Sequence, residues 1–175
     1  MRDIVFETLY DLAGRDRNLI IVTADMGAPA LDRFRDTFSD QFIDVGISEQ
    51  AMVAVSAGLV LSGKKVFTYA IAPFATLRCY EALKVNFAMQ GLPICIIGVG
   101  GGQTYWEAGP THHTFDDVPL MTLLGAKILQ PETKRECVRA VKRAYRMDGM
   151  YYLRLARGSG KIEAPKGSKW EKRVL

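Results

Sequence analysis

Leu19-Ile20-Ile21-Val22 runs directly into Thr23-Ala24-Asp25-Met26-Gly27. Consecutive apolar residues without the polar alternation of a half-exposed strand read as a strand buried on both faces, the pattern of a parallel sheet. The glycine-containing continuation reads as the loop leaving that strand's carboxyl end. Upstream, Val5, Leu9 and Leu12 recur at helical spacing and Gly14 is a stop. Downstream, Leu31, Phe34 and Phe38 mark a second helix. Phe42-Ile43-Asp44-Val45-Gly46-Ile47-Ser48-Glu49-Gln50 then reads as a short strand, a glycine turn and the start of a helix, which continues apolar nearly all round through Ala51 to Leu61. A third strand is expected at Val66 to Tyr69, a third helix at Phe74 to Gln90 and a fourth strand at Leu92 to Val99. A long loop to about Asp117, a short apolar segment Val118 to Leu124, a strand Lys127 to Gln130, a helix carrying Val138 and Val141, and a strand Tyr151 to Leu153 follow. Strands and helices alternate throughout. The expected architecture is therefore α/β, a single three-layer domain over residues 1–158 whose mostly parallel sheet is covered by helices on both faces. Residues 159–175, rich in Gly, Lys and Pro, read as a basic tail or linker.

Charge placement narrows the function classes. Of 23 basic and 19 acidic residues, six and two respectively fall in residues 157–175, so the 17 of each sign that remain cancel. A neutral body argues against a nucleic-acid surface. No apolar run approaches the roughly 18 residues of a membrane span, and the N-terminus lacks a signal-peptide core. Cys79, Cys95 and Cys137 are odd in number and widely spaced, which suits free thiols in a reducing compartment. The expectation is a soluble, cytoplasmic protein that uses neither nucleic acid nor membrane.

Three loops fall at one edge of the expected sheet, where ligands of open α/β folds bind. They carry Asp25, Glu49 and the segment Glu107 to Asp117, which holds both histidines, His112 and His113. At the second loop, Ser48 as an N-cap and Glu49 as a first-turn acid that complements the helix dipole is a competing structural reading. Carboxylates flank the histidines, but adjacent residues of extended chain point in opposite directions, which is poor for chelating one ion. A substrate-handling loop is the stronger reading, and no metal ligand is assigned to this chain. Phe74 and Tyr80, six apart with Leu77 between them, fit core packing or a platform for a flat ring, and spacing leaves both open. Gly98-x-Gly100-x-x-Gln103 lacks the third glycine of a dinucleotide fingerprint and opens no helix.

Taken together, Asp44-Val45-Gly46-Ile47-Ser48-Glu49-Gln50, Phe74-Ala75-Thr76-Leu77-Arg78-x-Tyr80, Gly109-Pro110-Thr111-His112 and Arg154-Leu155-Ala156-Arg157-Gly158 occur in a known order. Residues 3–158 resemble the pyrimidine-binding domain of transketolase-like thiamine diphosphate enzymes, a family that includes deoxyxylulose phosphate synthase. The resemblance implies the thiamine diphosphate-binding fold and a role for each matching residue. Glu49 would hydrogen-bond the cofactor's pyrimidine nitrogen and promote the imino form that acts as base, which needs a carboxyl group able to share a proton. Phe74 would stack on the pyrimidine, with Leu77, Tyr80 and Ile47 completing the pocket and Asp25 near the cofactor. His112 would face the donor's carbonyl end as a second catalytic residue. His113, Gln103 and Arg157 would contact substrate, Arg157 at a phosphate.

Departures from the family pattern carry information too. The acidic residue expected before Gly-Pro-Thr-His is Ala108, and a histidine expected about eight positions earlier falls in Gly100 to Gly102. The Gly-Asp-Gly motif that holds the diphosphate and its Mg2+ in the family does not occur in the sequence. The resemblance therefore implies a split enzyme, in which a diphosphate-binding transketolase-like subunit binds the Mg2+ and completes the site. The expected reaction moves a two-carbon ketol unit or acyl anion equivalent from a keto or sugar phosphate donor to an aldehyde acceptor. The alternatives are a split 2-oxoacid decarboxylase or carboligase, which the Ala108 departure favours, and a non-catalytic assembly subunit. The apolar helix Ala51 to Leu61 predicts self-association, giving a heterotetramer with the partner.

Overall fold

The structure, a computed structural model, describes residues 1–156; Arg157 and the expected basic tail lie outside the described residues. Six strands form one all-parallel sheet in the order β2-β1-β3-β4-β6-β5. In chain order these are β1 (Leu19–Thr23), β2 (Phe42–Asp44), β3 (Lys65–Ile71), β4 (Ile94–Val99), β5 (Lys127–Leu129) and β6 (Met150–Leu155). The helices are α1 (Arg2–Ala13), α2 (Pro29–Thr37), α3 (Glu49–Leu61), α4 (Ala72–Ala75), α5 (Tyr80–Leu83), α6 (Asp117–Leu123) and α7 (Lys134–Ala144).

The apolar runs of β1 and β4 do what their composition requires. Leu19 and Ile21 point into one core with α1, α2 and α7, whereas Ile20 and Val22 point into a second core with α3, α5 and α6. Each side chain fully buried this way contributes about 1.5–3 kcal/mol. Two cores separated by a sheet are the three layers expected from the sequence. The order reverses at β1, whose neighbours are β2 and β3, so the carboxyl ends of these strands flank a topological switch point. Among the described residues no helix is long and apolar enough to cross a membrane.

Two differences from expectation bear on the site. The helix expected over Phe74 to Gln90 begins earlier, with Pro73 in its first turn, stops at Ala75, resumes as α5 and passes into a π-turn at Lys84–Ala88. At the break the backbone bonds change span, Arg78 N–H reaching the Pro73 carbonyl at 3.1 Å and Cys79 N–H that of Thr76 at 3.2 Å, while the Thr76 hydroxyl adds a bond to the Ala72 carbonyl at 2.7 Å and the Cys79 thiol one to that of Phe74 at 3.2 Å. The last strand, expected to end at Leu153, continues buried to Leu155 because the charge on Arg154 is neutralised inside the protein.

Candidate active site

Every loop singled out in the sequence leaves the carboxyl edge of the sheet. β1 leads to Asp25, β2 to Glu49, β3 to Phe74 and Arg78, and β4 to the segment 100–116. Asp44 ties the first two loops together, its Oδ1 accepting from the amides of Asp25 and Gly46, each at 2.9 Å. That anchor holds Asp25 in left-handed backbone, φ 52°, and starts α3 at Glu49. Asp25 itself is exposed, and Ile47 at the loop tip is 78% exposed.

Glu49 is only 4% exposed, and its carboxylate is not spent on the open amides of the helix start. Ser48 occupies the cap position without a side-chain cap bond. Glu49 Oε2 accepts instead from Arg78 Nη1 at 2.8 Å, and the same guanidinium lies 4.0 Å above the centre of the Phe74 ring. The His112 ring stands against Phe74 at 70° with centroids 5.0 Å apart, its Nδ1 3.0 Å from the Thr111 hydroxyl. Glu49, Phe74 and His112, far apart in sequence, thus form one cluster, and Arg78 joins it. Leu77 and Tyr80 are half-buried on either side of Arg78. Beneath them the buried Cys79 thiol is pushed up to about 12, by burial first and then by the Glu49 charge.

His113 diverges from His112 as adjacent residues should. It stacks on Trp106 with centroids 5.8 Å apart, and both its ring nitrogens are buried without a hydrogen-bond partner among the described residues. Gln103 is buried, and its side-chain oxygen also lacks a partner there. Among the described residues no group of three or more His, Cys, Asp or Glu side chains could hold a metal ion. Two surface hollows, about 310 Å³ between the end of β5 and α7 and about 230 Å³ between α1 and α2, are lined by none of Glu49, Phe74, Arg78 or His112. Arg157 lies outside the described residues, so its expected phosphate contact has no structural counterpart here.

A second cluster escapes the sequence reading. Asp117, fully buried, takes a forked pair of hydrogen bonds from Arg154 at 2.6 and 3.1 Å and one from the Tyr152 hydroxyl at 2.7 Å. Arg154 also donates to the Thr114 carbonyl at 3.3 Å, and Thr114 exchanges backbone bonds with Gly102. Burial first, then the Asp117 carboxylate, holds the Tyr152 hydroxyl well above the usual phenol range, so it stays a donor. The glycine run makes room for this clamp: a Cβ on Gly101 would come within 2.6 Å of the Arg154 guanidinium, and one on Gly98 within 2.8 Å of the Tyr152 ring. The sequence does hold a signal, because a lone arginine inside the apolar run Tyr151 to Leu155 demands a buried acid.

Among protein families, the one described as transketolase, pyrimidine binding domain, matches residues 1–161. The chain belongs to the transketolase pyrimidine-binding family. Among curated relatives, a subunit of the apulose-4-phosphate transketolase of Phocaeicola vulgatus is 36% identical over 87% of this chain and 50% of its own length. The 6-deoxy-6-sulfo-D-fructose transketolase subunit SqwH of a Clostridium species is 31% identical over 90% of this chain and 49% of its own. The chain thus spans about half the length of these transketolase subunits. A split-gene transketolase solved as an inactive beta4 tetramer has a TM-score of 0.79 at 25% identity, covering 94% of this chain and 53% of that one. Transketolase of Leishmania mexicana shares the fold, with a TM-score of 0.78 at 20% identity over 97% of this chain and 27% of its own.

Proposed function

We propose that this chain is the pyrimidine-binding subunit of a split, thiamine diphosphate-dependent transketolase-like enzyme that transfers a two-carbon ketol unit or acyl anion equivalent from a keto donor to an aldehyde acceptor. The observation that carries the proposal is the buried Glu49 carboxylate beside the face of the Phe74 ring, where the flat Arg78 guanidinium lies with an N–H toward the carboxylate. This arrangement fits an aminopyrimidine: a carboxyl oxygen for a ring nitrogen and an aromatic face for the ring. When bound, thiamine diphosphate supplies a nucleophilic carbon that adds to the donor carbonyl. Glu49 would share a proton with the pyrimidine in a site shielded from water. His112, against the edge of Phe74, would orient the donor, with His113 and Gln103 in support and Phe74, Leu77, Tyr80 and Ile47 around the ring.

The Gly-Asp-Gly motif that holds the diphosphate and Mg2+ in the family does not occur in residues 1–175, and a diphosphate-binding partner chain would supply it. Relatives named as transketolase subunits support this reading. Self-association would use the outer face of α3. Its inner residues Met52, Val53 and Val60 are buried on the sheet, while Ala54, Val55, Gly58 and Leu61 are exposed. The heterotetramer would pair two copies across that face. Ala108, exposed beside the histidine loop, favours as a second reading a carboligase or decarboxylase that needs no readout of a donor hydroxyl. Calorimetric titration with thiamine diphosphate and Mg2+ tests the proposal: weak binding or none to this chain alone, and tight binding once the partner is added. Micromolar binding without a partner defeats it.

A further inference from the structure

The Arg78 side chain satisfies two requirements at once, a hydrogen bond to Glu49 at 2.8 Å and a flat cation 4.0 Å over the Phe74 ring. A planar group with an N–H edge toward a carboxylate and its face on an aromatic ring is equally a description of an aminopyrimidine. Both cannot use that face of Phe74 and that oxygen of Glu49 together. We infer that Arg78 is a placeholder: in the cofactor-free chain its guanidinium occupies the position of the pyrimidine ring and must swing out before the ring can enter. The inference rests on the cofactor reading above.

The parts around Arg78 are unequally free to move. Its backbone is held on both sides, the amide donating to the Pro73 carbonyl at 3.1 Å and the carbonyl accepting from Gln50 Nε2 at 3.4 Å. The side chain is 44% exposed, whereas that of Glu49 is 5% exposed. Exchange therefore moves a side chain on a fixed stem out into water, and the carboxylate stays where it is. The placeholder also answers a physical need. A buried carboxylate without a partner is costly, and Arg78 supplies that partner until the ring arrives.

The test uses 4-amino-2,5-dimethylpyrimidine, the aromatic half of the cofactor without its phosphates, titrated into the isolated chain and followed by NMR. The expected result is that the Arg78 Nε–Hε signal moves to its solvent-exposed position as Phe74 ring signals shift. Arg78→Gln should bind the probe about tenfold more tightly, the combined worth of a half-exposed ion pair and a cation–π contact, and Arg78→Lys should fall between the two. An unchanged backbone amide spectrum shows that each variant is folded, and agreement between the two variants guards against one of them being distorted. Equal or weaker binding in Arg78→Gln overturns the placeholder and leaves the cofactor reading standing. Binding in none of the forms overturns the placeholder, because removing Arg78 then opens no site for the ring, and the titration with the partner present decides the cofactor reading separately.

Discussion

Two arginine–carboxylate pairs stand at the same edge of the sheet and are built differently. Arg154 and Asp117 are 8% and 0% exposed, joined by a fork and braced by a tyrosine hydroxyl. Arg78 and Glu49 share one hydrogen bond, and the cation is 44% exposed. The first pair cannot open without stranding a charge in the core, and it fixes the histidine loop to β6. The second opens by exchanging one hydrogen bond and one ring contact for water. Permanence and exchange are thus set by how much solvent reaches the cation, with the same two chemical groups in each place.

The largest expected effect tests the permanent pair. Arg154→Met should destabilise the chain by about 3–5 kcal/mol in urea unfolding, because Asp117 is left charged and buried. Asp117→Leu with Arg154→Met should recover most of that loss, since an apolar pair of similar volume leaves nothing unpaired. A single-variant cost under about 1 kcal/mol would erase the distinction between the pairs. Next comes Glu49→Gln, which keeps the shape but cannot share a proton. The assembled enzyme should lose about a hundredfold or more in kcat/KM with its unfolding midpoint almost unmoved. Near-normal turnover would reduce Glu49 to a helix-start acid.

A third pair of intermediate exposure gives the comparison a scale. Asp16 accepts from the Tyr145 hydroxyl at 2.7 Å and from Lys65 at 2.9 Å, and these bonds lower its carboxyl to about 2. A carboxyl depressed on folding stabilises fully above its unfolded value, about 3.9, and that stability is lost as pH falls toward 2. Asp16→Asn should cost roughly 1 kcal/mol at pH 7, discounted because Lys65 is about one-third exposed, and almost nothing near pH 2. A cost that stays constant with pH would place the stabilisation in shape and packing instead. The smallest effect belongs to the exchangeable pair. Arg78→Met should change stability by at most about 1 kcal/mol, since the space it vacates lets water reach Glu49.

How much can be read from the sequence follows from how each element is stabilised. β1 and β4 are continuous apolar runs, and their burial on both faces is legible in composition alone. Glu49, Phe74 and His112 stand out because their flanking motifs resemble a family, and the fold gathers them into one cluster. Arg78 sits in one of those motifs without a role of its own, since its purpose depends on a carboxylate 29 positions away. Asp117 and Arg154 escape for the same reason, being 37 positions apart on different elements. The third helix is misjudged because the apolar spacing of residues 74–90 continues across the break, while the change from i−4 to i−5 and i−3 backbone bonds at Arg78 and Cys79 leaves no mark on periodicity.

That break has a practical side in the Cys79 thiol, which is fully buried and hydrogen-bonded to the Phe74 carbonyl. A maleimide can reach it only while the turn carrying Arg78 is open. Cys95, near the start of β4, and Cys137, in α7, are also buried, and both belong to the core on the other face of the sheet from Cys79. Alkylation kinetics resolved by site therefore give each core of one chain its own clock, and the Cys79 clock times the turn at the site without any substrate, partner or introduced label.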